Sequence, residues 1–133
     1  MRAHVEISHG VVSEILSHCE RELPYEACGL LGGKGNRVEK VVPAGNESRS
    51  RTEYSIDPAF VLRAMKGLKG EGLDVTGVYH SHPDGLEGLS ARDVEECWED
   101  FYYILVVMKG VSKKMRCYRV SDGREEVIEM RFF

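Results

Sequence analysis

The sequence predicts an α/β domain, a mixed sheet with helices packed on its faces. Strand-like runs and segments of helical period interleave over the first hundred residues, and three consecutive strand-like runs close the chain. At 133 residues the chain is long enough to bury a core without disulfide or metal staples. No repeat, low-complexity tract or linker divides it, so residues 1–133 are expected to form one domain.

The elements follow in order. Residues 4–7 suit an opening strand. Val11, Val12, Ile15, Leu16, Cys19 and Leu23 then recur at helical spacing, which predicts an amphipathic helix over 9–23, ending before Pro24. The glycine-closed apolar run ACGLLGG (27–33) and RVEKVVP (37–43) read as a hairpin. NESRSRTEY (46–54) is a polar loop. Asp57 can cap, and Pro58 begin, a second helix, whose buried stripe is expected to be Phe60, Ala64 and Leu68. DVTGVYH (74–80) is a strand, and a helix runs from Ser90 to about Asp100. FYYILVVM, KKMRCYRV and REEVIEMRF are strands, with turns at Lys109-Gly110 and Asp122-Gly123.

Composition narrows the function. Eighteen basic against 22 acidic residues give a net charge of −4, which argues against a nucleic-acid or anionic-membrane surface. No apolar run approaches the roughly 18–20 residues that cross a bilayer, and MRAHVEISHG has no apolar core of a signal peptide. Cys19, Cys28, Cys97 and Cys117 form no Cys-x-x-Cys pair, so they read as reduced, mostly buried thiols of a cytoplasmic protein, not a zinc ribbon.

The chemistry concentrates in GVYHSHPDGLEGLSARD (77–93). His80 and His82 stand at i and i+2, so in extended backbone both point to one face. Two imidazoles plus a carboxylate could hold zinc with a fourth position open to water. Asp93 can swing in from a helix starting at Ser90. On spacing alone other readings stand: His80-x-His82 as a polar strand end, and Ser90-x-x-Asp93 as a capping box. The cap and the metal would compete for Asp93. Glu26, at the edge of an apolar run, is one acid among several that could serve a zinc site as a base.

Taken together, Glu26, His80-Ser81-His82-Pro83, seven residues between His82 and Ser90, and two between Ser90 and Asp93 resemble the JAMM, or MPN-plus, motif of Mov34/JAB1-like zinc metalloproteases. PYEACGLLGG and VVPAGNESRSRTEYSIDP resemble the family's segments around its glutamate and its second helix. The likeness to the short stand-alone prokaryotic members runs from about residue 3 to 130. It implies the JAB1/MPN fold, which is cytidine-deaminase-like. It also implies one Zn2+ per chain on His80, His82 and Asp93, with Glu26 as general base and Ser90 as a donor to the oxyanion. The implied activity is a peptidase or isopeptidase that cuts after the Gly-Gly terminus of a ubiquitin-like or sulfur-carrier protein, working as a monomer or homodimer. DGLEGL departs from the proline- and alanine-containing stretch of relatives. The 46–55 loop lacks the insertions with which eukaryotic members grip ubiquitin chains, although a substrate tail could add to a sheet edge beside it.

The remaining residues take plainer readings. His4, His9 and His18 are expected on the surface or along helices, and Trp98, Tyr102 and Tyr103 in packing. Cys28 is expected in the core. A ligand-less interaction module of the same fold is the first rival, against which every ligand position is filled. Related zinc hydrolases with other substrates are the second. A zinc deaminase would need His-x-Glu and Pro-Cys-x-x-Cys, which the chain lacks.

Overall fold

The structure is a computed structural model, and it describes residues 4–133. In chain order the elements are β1 (His4–Ile7), α1 (His9–Arg21), β2 (Cys28–Lys34), β3 (Arg37–Ala44), α2 (Pro58–Gly70), β4 (Asp74–His82), α3 (Ala91–Glu96), β5 (Tyr102–Lys109), β6 (Ser112–Ser121) and β7 (Arg124–Phe132). The strands order as β1-β3-β2-β4-β5-β6-β7, and β7 returns to pair with β1. β1–β3, β1–β7 and β4–β5 are parallel and the other pairs antiparallel, so the predicted mixed sheet is present. It is closed on itself. The β1–β3 closure rests on two residue pairs, Glu6 with Arg37 and Ile7 with Val38, so the part of β3 from 40 to 44 that leads into the 46–55 loop has β2 as its strand neighbour.

The two faces of β5 explain its unbroken apolar sequence. Ile104, Val106 and Met108 pack into a core with Val5, Ile7, Val11, Ile15, Cys19, Leu31, Tyr79, Cys117 and Ile128, the face that α1 covers. Tyr103, Leu105 and Val107 turn the other way, beside Tyr118, Val78 and Leu89. A strand covered on both sides reads as a continuous apolar run instead of an alternation. Each fully buried Leu, Ile or Val contributes roughly 1.5–3 kcal/mol relative to exposure.

Ser8 caps α1, its Oγ accepting from the Val11 amide at 3.1 Å. The predicted helix overshoots at its end: α1 stops at Arg21 and Leu23 is 44% exposed. Asp57 caps α2 as expected, accepting from the Ala59 amide at 3.0 Å. Of the predicted stripe only Leu68 is deeply buried, and Phe60 and Ala64 are half-buried. Asp122 and Gly123 both have positive φ (53° and 70°), the backbone of a two-residue hairpin whose twist matches its strands. No helix of the described residues is long and apolar enough to cross a membrane.

One plain reading fails. Trp98 is 69% exposed: α3 ends after six residues, not near Asp100, and Trp98 lies beyond it against the Phe101 ring (centroids 5.5 Å apart). His18 lies along α1 as expected, on its buried face, with Nδ1 2.7 Å from Tyr79 Oη. Tyr102 and Tyr103 are buried as expected, and all four cysteines are free thiols, three of them buried.

Candidate active site

β4 is a central strand between β2 and β5, and its C-terminal end carries the two histidines. His80 and His82 stand on the face shared with Val78, and Tyr79 and Ser81 on the face toward α1. In the β2–β4 ladder Cys28 stands opposite His80, so continuing the antiparallel register by two residues sets Glu26 opposite His82. Two bonds extend that register beyond β2: the Ser81 amide donates to Ala27 O (3.1 Å) and the Ala27 amide to Ser81 Oγ (2.9 Å). Asp93 arrives on the first turn of α3.

All five residues singled out from sequence lie in one contiguous cluster. Asp93 Oδ2 is 3.1 Å from His80 Nε2 and 3.2 Å from His82 Nε2. Glu26 Oε2 is 4.0 Å from His82 Nε2. All four side chains are buried. Ser90 Oγ accepts from the Asp93 amide at 3.0 Å, and Asp93 Oδ2 accepts from the Ser90 amide at 2.8 Å. The same oxygen that caps the helix also faces both imidazoles. A hydroxyl can accept and still donate, so capping leaves the Ser90 O–H free to act.

The donor set fits a zinc ion. Tetrahedral zinc with bonds near 2.0–2.1 Å separates its ligand atoms by roughly 3.3 Å, close to the two Asp93–histidine distances. His82 Nδ1 is 2.9 Å from Leu86 O, so it can donate there and leave Nε2 as the lone-pair nitrogen, the usual support of a metal-bound imidazole. Glu26, His80 and His82 also bring ligand atoms within 4.8 Å of one another. The carboxylate nearest both rings is nonetheless that of Asp93, and Glu26 stands just beyond contact with His82.

Electrostatics separate the two acids. Burial pushes the Glu26 carboxyl up to about 8, opposed by His82 and reinforced by Asp93, and Oε1 has no hydrogen-bond partner. Burial acts the same way on Asp93, but hydrogen bonds from His80 and His82 outweigh it and hold Asp93 well below its usual range. Burial lowers His80, more than Asp93 offsets, which favours the neutral imidazole that a metal needs. At His82 burial is outweighed by Asp93 and Leu86, and the net shift is upward. Two carboxyls driven apart in this way are a pattern of acid–base sites.

Three residues around the cluster gave no signal in sequence. The Tyr54 ring stacks on His80 (4.6 Å, 26°), whose Nδ1 is buried without a partner. Ser81 ties the end of β4 to Ala27. Asn46, 8% exposed, bonds the backbone around Glu26. An aromatic and an asparagine within a polar loop, and a serine between two histidines, were the available hints. Ion pairs Arg51–Asp84 (3.2 Å) and Arg92–Glu53 (2.8 Å) bind the same loop to the segment between β4 and α3 and to α3 itself.

Residues 8–121 match the family of prokaryotic homologs of the JAB domain. The chain is 36% identical over 120 residues to a probable TtuB-protein conjugate cleaving protease of Thermus thermophilus, covering 90% of this chain and 78% of that one. It is 32% identical over 117 residues to the CysO-cysteine peptidase of Mycobacterium tuberculosis, covering 85% and 80%. Among solved structures it resembles DSY2949 of Desulfitobacterium hafniense (TM-score 0.87, 27% identity, 97% of this chain and 92% of that one). It also resembles AF2198 of Archaeoglobus fulgidus, a JAB1/MPN domain protein (TM-score 0.65, 19% identity, 99% of each chain). The latter likeness bears on fold alone.

Proposed function

The chain belongs to the family of prokaryotic homologs of the JAB domain, and from that premise we propose that it is a zinc peptidase or isopeptidase. Its substrate is a ubiquitin-like or sulfur-carrier protein, cut after the Gly-Gly terminus. The observation that carries the reading is the convergence of His80 Nε2, His82 Nε2 and Asp93 Oδ2, with Glu26 Oε2 4.0 Å from His82 and Glu26 Oε1 without a hydrogen-bond partner. The names of the relatives, a conjugate-cleaving protease and a carrier-cysteine peptidase, support the substrate class.

In this reading His80, His82 and Asp93 hold one zinc per chain. Zinc supplies a Lewis acid for the scissile carbonyl and acidifies water toward neutral pH. Glu26 takes the proton of the attacking water and passes it to the departing amine, a role suited to a carboxyl whose burial has raised its proton affinity. The Ser90 O–H donates to the oxygen that gains charge at the tetrahedral carbon. A cavity of about 340 Å3 lined by Leu30, Tyr54, Val78, Trp98, Phe101 and Tyr103 lies beside the site and offers the carrier an apolar seat. The protein acts in the cytoplasm as a monomer or homodimer, without nucleic acid or membrane.

The test is to incubate zinc-loaded protein with ubiquitin-like carriers whose Gly-Gly is extended by one amino acid or joined to a lysine, and to weigh the products. The expected product ends in Gly-Gly. Glu26→Gln should keep zinc and slow turnover by about 10²–10⁴-fold, and His82→Ala should lose both. Carriers left intact by zinc-loaded protein, or a Glu26→Gln variant at the parent rate, would contradict the proposal.

A further inference from the structure

We propose that Asn46 is a positioning residue that fixes Glu26 through the 46–55 loop. The inference rests on the reading of Glu26 as general base, and it concerns what holds that base in place. β2 begins only at Cys28, so the ladder does not hold the backbone of Glu26. Ala27 is fastened to Ser81, and residue 26 itself is held by the loop on both sides. Its amide donates to Ser50 O at 2.8 Å, and its carbonyl accepts from Asn46 Nδ2 at 3.1 Å.

Asn46 spends its whole bonding capacity on this join. Nδ2 also donates to Glu53 O at 3.0 Å, and Oδ1 accepts from the Ser48 and Ser55 amides at 3.0 and 3.2 Å. Two donors and two acceptor sites are what a primary amide offers, and the group is buried, so each lost partner is felt. The same loop then presents Tyr54 to the His80 ring. The loop is thereby a fixed wall of the site, and the side chain that makes it so is Asn46. A misplacement of about 1 Å at a catalytic group can lower turnover by about a hundredfold.

Asn46→Asp removes both donated bonds but adds a buried charge, so Asn46→Ser, which adds none, is assayed beside it. A carboxylate still accepts from the Ser48 and Ser55 amides, so the loop keeps its own turn, but it cannot donate to Glu26 O or Glu53 O. The measurements are kcat and KM on a Gly-Gly-tailed ubiquitin-like protein extended by one amino acid, and zinc affinity by chelator competition. Asn46→Asp should lower kcat at least tenfold while KM and zinc affinity stay within about threefold of the parent. Ser48→Ala, which removes only a hydroxyl contact to Ser55, should leave kcat within twofold. Asn46→Ser is held to the same criteria, and alone if Asn46→Asp does not fold. A kcat within twofold of the parent would overturn the inference, as would a parallel loss of zinc affinity beyond tenfold, which would make Asn46 a prop for the whole site. Glu26→Gln, assayed alongside, separates the two ideas. If Glu26→Gln is inactive and Asn46→Asp fully active, only the positioning role fails. If the parent does not hydrolyse the substrate, or Glu26→Gln matches it, the reading of the site fails and takes the inference with it.

Discussion

Ser90 and Asp93 hold each other's backbone amides, Asp93 N–H on Ser90 Oγ and Ser90 N–H on Asp93 Oδ2, while that same Asp93 oxygen faces His80 and His82. A helix of six residues has little propensity of its own, so the reciprocal cap both starts α3 and aims its carboxylate. Ser90→Ala should therefore cost about 1 kcal/mol of stability and also slow turnover, since one hydroxyl both caps and donates. Ser90→Thr should restore the stability. Thermal melts with and without zinc read the first effect and kcat the second; an unchanged melting temperature in Ser90→Ala would remove the cap from the account.

The raised Glu26 gives the metal-free protein a signed pH dependence. Its folded pKa, about 8, lies above the ordinary 4.5, so the folded state binds the extra proton. That stabilisation is complete below about pH 4.5 and is lost as pH rises through 8. In EDTA the parent should lose roughly 5–10 °C of melting temperature between pH 5 and 8.5, and Glu26→Gln should lose clearly less. Parallel curves for the two proteins would show that Glu26 is not buried as described.

Gly77 lets β4 lie against β5. A Cβ there would sit 2.1 Å from the Tyr102 carbonyl oxygen, a backbone atom of the neighbouring strand that cannot rotate away. Gly77→Ala should destabilise by about 3 kcal/mol or more, the upper end of overpacking. It should also weaken zinc binding, because the parallel register that sets His80 beside Leu105 and His82 beside Val107 would shift. Urea unfolding and chelator competition check the two effects, and a variant as stable as the parent would refute the register argument.

Under α1, Tyr79 Oη and His18 Nδ1 form a buried bond. Tyr79→Phe leaves the His18 nitrogen unpaired and should cost about 1–3 kcal/mol with zinc affinity unchanged, since Tyr79 faces away from the site. Loss of zinc in Tyr79→Phe would mean that the two faces of β4 are coupled.

Much of the architecture was legible because periodicity and turn chemistry speak locally. The unbroken apolar run at residues 101–108, Asp57-Pro58 and Asp122-Gly123 each announced an element through its own residues. Closure of the sheet was not legible, since β1 meets β7 across the full length of the chain. The exposure of Trp98 follows from the early end of α3, and the burial of His18 within α1 from a tyrosine 61 residues away, neither of which speaks locally. Within the site, spacing brought His80, His82, Ser90 and Asp93 forward as candidates, with a polar strand end and a capping box as rival readings until the resemblance joined them. Glu26 needed the resemblance to single it out among several acids, and in the fold the β2–β4 register places it opposite His82. Asn46 and Tyr54 stayed silent because their roles depend on which backbone atoms and rings the fold places beside them.

The central claim is that His80, His82 and Asp93 form a zinc site. Native mass spectrometry of the parent and of Asp93→Asn, purified without added zinc, tests it most directly, because asparagine keeps the acceptor for the Ser90 amide while removing the charge. The account predicts one zinc per chain in the parent and little in the variant, with both proteins folded. Equal zinc in the two, or none in the parent even after reconstitution, would leave Asp93 as a helix cap only and contradict it.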